Sequence, residues 1–358
     1  VLERRAAPPR APLPPAPAEW TADVDPAPNG SAPFRTIAAA LAAAPRDRPV
    51  TLRLRAGRYR EKLAIDRPDV TLLGAGRDAT VITWADHADT PAPGGGTLGT
   101  RGSWTVRVTA PGFRAARLTI ENAFDYPANA RRAADDPARV RNAQAVALAL
   151  VGESDRAVLD DVALVGHQDT FLADAGRTLV RRSRVVGHVD FVFGAGTVVL
   201  DSCDVVSRDR GDASNNGYVV APSTDASTPI GFLVVRSRLL KESPAIAPNS
   251  VALGRPWHPS ASPAAVGSAV FVDTWMDVHG GGGGWDLMPS VEPASGERLW
   301  FEPGAARFFE VGSRGPGAVP APSRRTLGPG DARSYTVERA LRGWVPPAPP
   351  ADSPSSPP

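Results

Sequence analysis

Apolar and polar positions recur along the middle of the chain with a period of about 20 residues. LDDVALVGHQD (159–169) lies over VRRSRVVGHVD (180–190) without a gap, and LDSCDVVSRDR (200–210) follows in a register of 20. Short β-branched runs separated by Gly and Asp read as strands. A fixed period of this size reads as a solenoid, in which each repeat buries its apolar face against the next. Parallel strands stack about 4.8 Å apart. A residue displaced by one period therefore comes to lie above its counterpart, and Asp169 and Asp190, 21 positions apart, become neighbours.

The same alternation predicts the other elements. VTLRLRAGRYREKLAI (50–65) reads as the first strand pair, with 70–84 and 104–122 as further strand–turn–strand units. FRAARLTIE (113–121) aligns with VLDDVALVG (158–166) after 45 residues, which is two periods or one with an insertion. The polar stretch 124–141 is the candidate insertion, a long loop of the kind that shapes binding sites. NAQAVALAL (142–150) opens the next rung, and Gln144 precedes Gln168 by 24 residues. Strands at 197–206, 218–221, 231–240 and 268–275 extend the stack. FRTIAAALAAAP (34–45) has helical spacing and ends before a proline; it is a candidate cap for the open end of the solenoid. RSYTVERALRGW (333–344) reads as a short terminal helix, and 304–330 as mostly loop. The Pro/Ala-rich 1–33 reads as a flexible leader and the Pro/Ser-rich 345–358 as a disordered tail. These boundaries leave one domain, 34–344. HGGGGGW (279–285) reads as a flexible loop, since its glycines lack the strand–helix setting of a nucleotide fingerprint.

Composition narrows the partners. The net charge is +2, and all but Lys62 and Lys241 of the 40 basic residues are arginine. Codon bias explains this usage, and recognition of an acidic polymer is compatible with it. Basic residues are interspersed with acids and no nucleic-acid motif is present, so nucleic acid is not expected. No run approaches the ~18 apolar residues of a membrane span. Cys203 is the single cysteine, which excludes an intrachain disulfide and reads as a buried thiol. The five histidines have no metal-ligand spacing; no metal and no cofactor is expected. The start at Val1 is compatible with a processed product.

Five motifs in order carry a family resemblance: GRYREKL (57–63), NAQAVAL (142–148), GHQDT (166–170), VDFVFG (189–194) and LGRPW (253–257). Over about 34–344 the sequence resembles the pectin methylesterases, and RPWHP, MDVHGGGGGW and RFFEVGSRGPGA resemble their bacterial branch. The resemblance implies an all-β, right-handed parallel β-helix and hydrolysis of galacturonate methyl esters in pectin. It implies Asp190 as the nucleophile, Asp169 as acid and then base, Gln144 and Gln168 as oxyanion donors, and Arg255 as the arginine holding the nucleophile. Trp257 resembles an aromatic wall of the sugar groove and Thr100 a groove threonine. Arg208 and Arg210 are candidates for polymer carboxylates. Phe191 and Phe193 flank the nucleophile, one expected inside and the other at the groove, with Phe191 taken as the substrate-binding one. A secreted monomer is implied.

Elementary chemistry agrees with these roles. A guanidinium favours an ionised nucleophile, and a second carboxylate nearby then keeps its proton. Neutral amides donate to an oxyanion without competing for that proton. Strict alternation would point Gln168 and Asp169 to opposite faces, so a strand end or bulge is required there. His167 and His188 depart from the family, which often has Tyr and a small hydroxyl residue. They form either a packed internal stack or a group that titrates near the site. Other esters or thioesters, or non-catalytic polysaccharide binding, remain alternative functions. Retention of Asp169, Phe191 and Arg255 favours the polymer esterase.

Overall fold

The computed structural model describes residues 18–278 and 284–349. The chain is a right-handed parallel β-helix. A 16-stranded sheet and a seven-stranded sheet form its walls. Along the seven-stranded sheet the order is Leu63–Ile65, Val106–Val108, Leu148–Leu150, Phe171–Ala173, Val189–Gly194, Gly217–Pro222 and Val251–Gly254. Each strand pairs in parallel with the next coil. Inward positions alternate with outward ones, so Val106, Leu148, Phe171, Val192 and Val220 stack inside the coil.

Register confirms the short periods. Ala157 pairs with Thr178 and Ala163 with Arg184, offsets of 21, while Arg177 pairs with Thr197, an offset of 20. The alignment by 45 is corrected by one: Arg114 pairs with Val158 and Leu118 with Val162, an offset of 44. These strands are direct neighbours, so the extra length is one insertion, not a second coil. Corners between strands use residues with positive φ, among them Arg117 at 54°, Asp161 at 55°, Arg182 at 50° and Arg236 at 50°. Behind the later corners, buried Ser183, Cys203, Ser237 and Thr274 bond to backbone groups of the same or a neighbouring coil. Burial pushes the Cys203 thiol up to about 12.

The N-terminal cap is the helix Ile37–Ala43. The Thr36 hydroxyl accepts from Ala39 N–H, while the Glu61 carboxylate accepts from Ile37 and Ala38 N–H at 2.8 and 2.9 Å. Tyr59, two residues earlier, is buried and donates its hydroxyl proton to backbone carbonyls of Val24 and Arg55. The first motif thus ties the cap to the first coil.

Three boundaries differ from the sequence reading. Trp20–Val24, inside the expected leader, is a strand paired in parallel with Val50–Leu54, and Ala22 and Val24 are in the core. Arg307–Val311, inside the expected loop 304–330, is a strand paired with Ser268–Val272, with Phe308 buried. The C-terminal segment forms two short helices, Pro329–Ala332 and Val337–Ala340. Beyond them, at the start of the expected tail, Arg181 donates to the Pro347 carbonyl at 3.0 Å. Residues 1–17, 279–283 and 350–358, which hold most of the expected leader, glycine loop and tail, lie outside the described residues.

Candidate active site

GHQDT and GHVDF build two turns on successive coils. Gly166 and Gly187 leave no room for a side chain: a Cβ on Gly187 would sit 2.3 Å from Phe191 Cβ and 2.6 Å from the His167 carbonyl oxygen. Thr170 is fully buried and donates to Val186 O at 2.9 Å, locking the first turn to the second. Asp169 then adopts φ 63° and Asp190 φ 50°. That left-handed conformation is uncommon outside glycine, though Asp tolerates it better than most. The pairing of Val189–Gly194 with Gly217–Pro222 shifts between Val189 and Val192, so Asp190 sits in an irregularity. Broken alternation is how Gln168 and Asp169 reach the same cleft.

Arg255 follows Val251–Gly254 and precedes Pro256. Its Nε donates to Asp190 Oδ1 at 2.9 Å and its Nη2 to Oδ2 at 2.6 Å. Both side chains are mostly buried. On its other side the guanidinium lies 3.9 Å from the Tyr218 ring centre. Burial works against the Arg255 charge, but Asp190 beside it prevails and holds the group above its ordinary value. Asp169 is driven well above the usual carboxylate range, first by burial, then by the Asp190 charge, with Arg255 opposing. The site thus holds an arginine-bound carboxylate next to a carboxyl that keeps its proton.

These groups line one cleft of about 540 Å³ with Leu98, Gly99, Thr100, Arg101, Gln144, Gln168, Phe193, Ala221, Trp257 and Met288. Gln144 and Gln168 bridge in parallel, and Gln144 Oε1 is buried without a protein partner. The Thr100 turn is pinned to the Gln144 strand: Val146 N–H donates to Ser103 Oγ, and Asn122 Nδ2 to both the Ser103 and Val146 carbonyls. Trp257 packs on Phe193 with ring centres 5.7 Å apart. Five residues expected to do chemistry, Thr100 and Trp257 all meet here.

Three peripheral expectations are corrected. Phe191 is fully buried in the core, and Phe193 is the one at the cleft. Arg208 pairs with Glu242 and donates to Gly166 O, while Arg210 is held by Asp212 and the Asn215 carbonyl. Neither lines the cleft, because the loop after Ser207 turns both back onto itself and its neighbours. The 124–141 insertion also contributes no cleft-lining residue. Its short helix Tyr126–Ala130 instead lays Tyr126 on the histidines behind the catalytic turns, 5.3 Å from His167 and 4.3 Å from His188. The two imidazoles are 5.2 Å apart. Burial, helped by Arg208, lowers His167 to about 3, and burial with His167 and Arg210 takes His188 well below its ordinary value. The two rings pack in one stack with Tyr126, and burial disfavours the charged form of both. Sequence reading missed Leu98, Arg101, Ala221, Met288 and Tyr218. Tyr218 pairs with Val189 one coil on, but the 208–216 loop hides that period. Met288 comes from an unforeseen antiparallel hairpin, Met288–Val291 with Arg298–Phe301.

Fold and cleft together place the chain among the parallel β-helix enzymes that hydrolyse carboxylic esters. The pectinesterase family model matches residues 23–285. Pectinesterase A of Dickeya chrysanthemi is 39% identical over 88% of this chain and 89% of its own length. The pectin methylesterase structure from Yersinia enterocolitica is 43% identical, with TM-score 0.83 over 87% of this chain and 100% of that one. A pectin methylesterase crystallised with a hexasaccharide is 39% identical, with TM-score 0.88 over 92% and 99%. The chain belongs to the pectinesterase family.

Proposed function

We propose that the protein removes methyl esters from galacturonate units of pectin, with Asp190 as nucleophile and Asp169 as proton donor and acceptor. An Asp190 oxygen attacks the ester carbonyl carbon. The resulting oxyanion takes hydrogen bonds from the Gln144 and Gln168 amides. Collapse breaks the bond to methoxide oxygen, which takes the Asp169 proton and leaves as methanol. The acyl group is then an anhydride with Asp190. Water attacks that acyl carbon and gives one proton to Asp169; the bond to Asp190 breaks, Asp190 is restored as a carboxylate, and the galacturonic acid departs and releases its remaining proton to solvent. Arg255 fixes both Asp190 oxygens and compensates their charge. Phe193, Trp257 and Met288 form an apolar wall for sugar rings.

The observation that carries this reading is the two-pronged Arg255–Asp190 contact beside Asp169 in the same cleft, where burial and the Asp190 charge raise the Asp169 carboxyl well above its ordinary range. The proposed catalytic unit is one β-helical domain acting as a monomer, since every member of the site comes from one chain. Its place of action is outside the cell, where the polymer lies. The test is methanol release from methylated pectin, compared with a small methyl ester and with Asp190→Ala. Release from pectin that the variant loses supports the reading. Preference for the small ester would support the alternative hydrolase, and binding without methanol a non-catalytic solenoid.

A further inference from the structure

Behind the cleft, the catalytic turns carry side chains that take no part in the proposed reaction. His167 and His188 each stand two residues before a catalytic aspartate, and both are buried. Their ring centres lie 5.2 Å apart, and the Tyr126 ring covers both. Neither nitrogen of His188 has a hydrogen-bond partner, nor has Nδ1 of His167. A buried polar group left unpaired is costly, so the contacts that keep the His188 ring in place are those of the stack. Arg208 and Arg210 oppose a charge on the imidazoles, and Asp125 favours one on His167.

The Tyr126 ring is presented by a loop tied at three points. At its start Phe124 N–H donates to Asn122 Oδ1 at 3.0 Å. At its end the Asp89 carboxylate accepts from Arg141 and Asn142 N–H at 3.0 and 2.8 Å. Across the middle, buried Asn129 donates to Val140 O at 2.9 Å and accepts from Val140 N–H at 2.8 Å. What the ring presses on is also fixed. His188 N–H donates to His167 O and Tyr218 N–H to His188 O, both at 2.9 Å. The Tyr218 ring centre lies 3.9 Å from the guanidinium of Arg255, which grips Asp190. One chain of contacts therefore runs from the insertion through both turns to the arginine clamp.

Hydrogen bonds between coils set the spacing of the two turns, but not the direction of their carboxylates. Asp169 and Asp190 have φ 63° and 50°, where the alternation of a strand no longer decides which way a side chain points. Such conformations persist only where the surroundings over-determine them. We propose that Tyr126 is a positioning residue for the reaction, acting through His167 and His188 to hold the two turns so that both carboxyl groups stay aimed into the cleft. This rests on the esterase reading above. Tyr126 does not itself line the cleft, so its effect falls on the chemical step and not on substrate binding.

The test measures kcat and KM for methanol release from methylated pectin over a pH series, with the whole chain as wild type, Tyr126→Phe and Tyr126→Ala. The alanine variant should lose roughly tenfold in kcat, short of the ~10²-fold that a misplacement of about 1 Å costs, because the backbone bonds between the turns remain. KM should stay within about twofold, the pattern of an interaction that matters only in the transition state. The alkaline limb should move to lower pH. Looser turns admit water to Asp169 and weaken its contact with the Asp190 charge, the two causes that raise it against the pull of Arg255. Tyr126→Phe keeps the ring and should match the wild type. His188→Ala should lower kcat likewise, and joined to Tyr126→Ala it should cost no more than either alone, since both act through one stack. A lower melting temperature with wild-type kcat and an unmoved limb overturns the proposal. So does a loss shared by the phenylalanine variant, and so do losses that add in the double variant. If Tyr126→Ala does not stay folded, Tyr126→Leu keeps an apolar cover without the flat ring; a partial loss of kcat there supports the proposal, and wild-type values overturn it. No methanol from the wild type would sink the esterase reading as well; methanol from the wild type with an unaltered alanine variant sinks this one alone.

Discussion

At the scale of single residues, Asp169 concentrates the conflict between stability and chemistry. Burial and the Asp190 charge lift it well above its ordinary 3.8. Between that value and its raised one, the folded chain holds a proton that the unfolded chain has lost. Stability therefore falls as pH rises through that window. Asp169→Asn removes the titration. Its expected effects are a melting temperature less sensitive to pH, a gain of roughly 1 kcal/mol at neutral pH, and a loss of kcat of about 10²–10⁴. Calorimetry and methanol assays over a pH series check both sides. In the unaltered protein the rate should fall on the alkaline limb, where Asp169 loses the proton it donates. A variant that keeps wild-type kcat removes Asp169 from the chemistry. Asp169, Asp190, Gln144, Gln168 and Arg255 were legible because they ride on periodic coils or in short motifs. Phe191 was misplaced because Asp190 takes φ 50°, which upsets the inward–outward count one residue later. Arg208 and Arg210 were misplaced because loop conformation, not period, decides where they point.

At the scale of elements, the cap helix shows how a motif away from the cleft serves the fold. Ile37–Ala43 spans only seven residues, too short to hold itself together in water. It persists because Ile37 and Ala40 are buried and because Glu61 satisfies two of its free N–H groups while placing a negative charge at the positive end of the helix dipole. Glu61→Ala should lower stability by about 1–2 kcal/mol and leave kcat on pectin intact, as read by denaturant titration and methanol release. Matching stability in the two proteins would show that burial alone holds the helix. The same scale explains what sequence reading resolved. Regular coils announce themselves, since each strand repeats its apolar positions after 20 or 21 residues. Where the 124–141 insertion breaks the count, the offset was misjudged by one. Trp20–Val24 and Arg307–Val311 were overlooked because five residues of alternation are too few to stand out among prolines and glycines.

At the scale of the whole molecule, the two sheets divide the labour. The seven-stranded sheet presents the cleft, while a second apolar cluster lies on the outer face of the larger sheet. There Leu179, Val199, Leu233, Val235 and Val270 would meet water but for Ala340 and Leu341, with Tyr335, Val337 and Trp344 packed around them. Arg177 fastens this cover by donating to the Leu341 carbonyl at 3.1 Å and lying 5.8 Å from the Trp344 ring centre. A contiguous apolar face of that kind favours association once uncovered. Deleting residues 333–358 should therefore cost roughly 3–5 kcal/mol from the lost burial of Leu341 and its neighbours. It should raise binding of an apolar dye and promote aggregation, yet leave KM for pectin within about twofold, because none of the cleft-lining residues among the described ones belongs to the deleted segment. Leu341→Asp should reproduce the effect in weaker form. If the truncated protein stays monomeric and as stable as the parent, the C-terminal segment is not the cover described here. If KM rises sharply instead, the two faces are coupled through the coil, and the stiffness of the stack would have to be counted as part of the site.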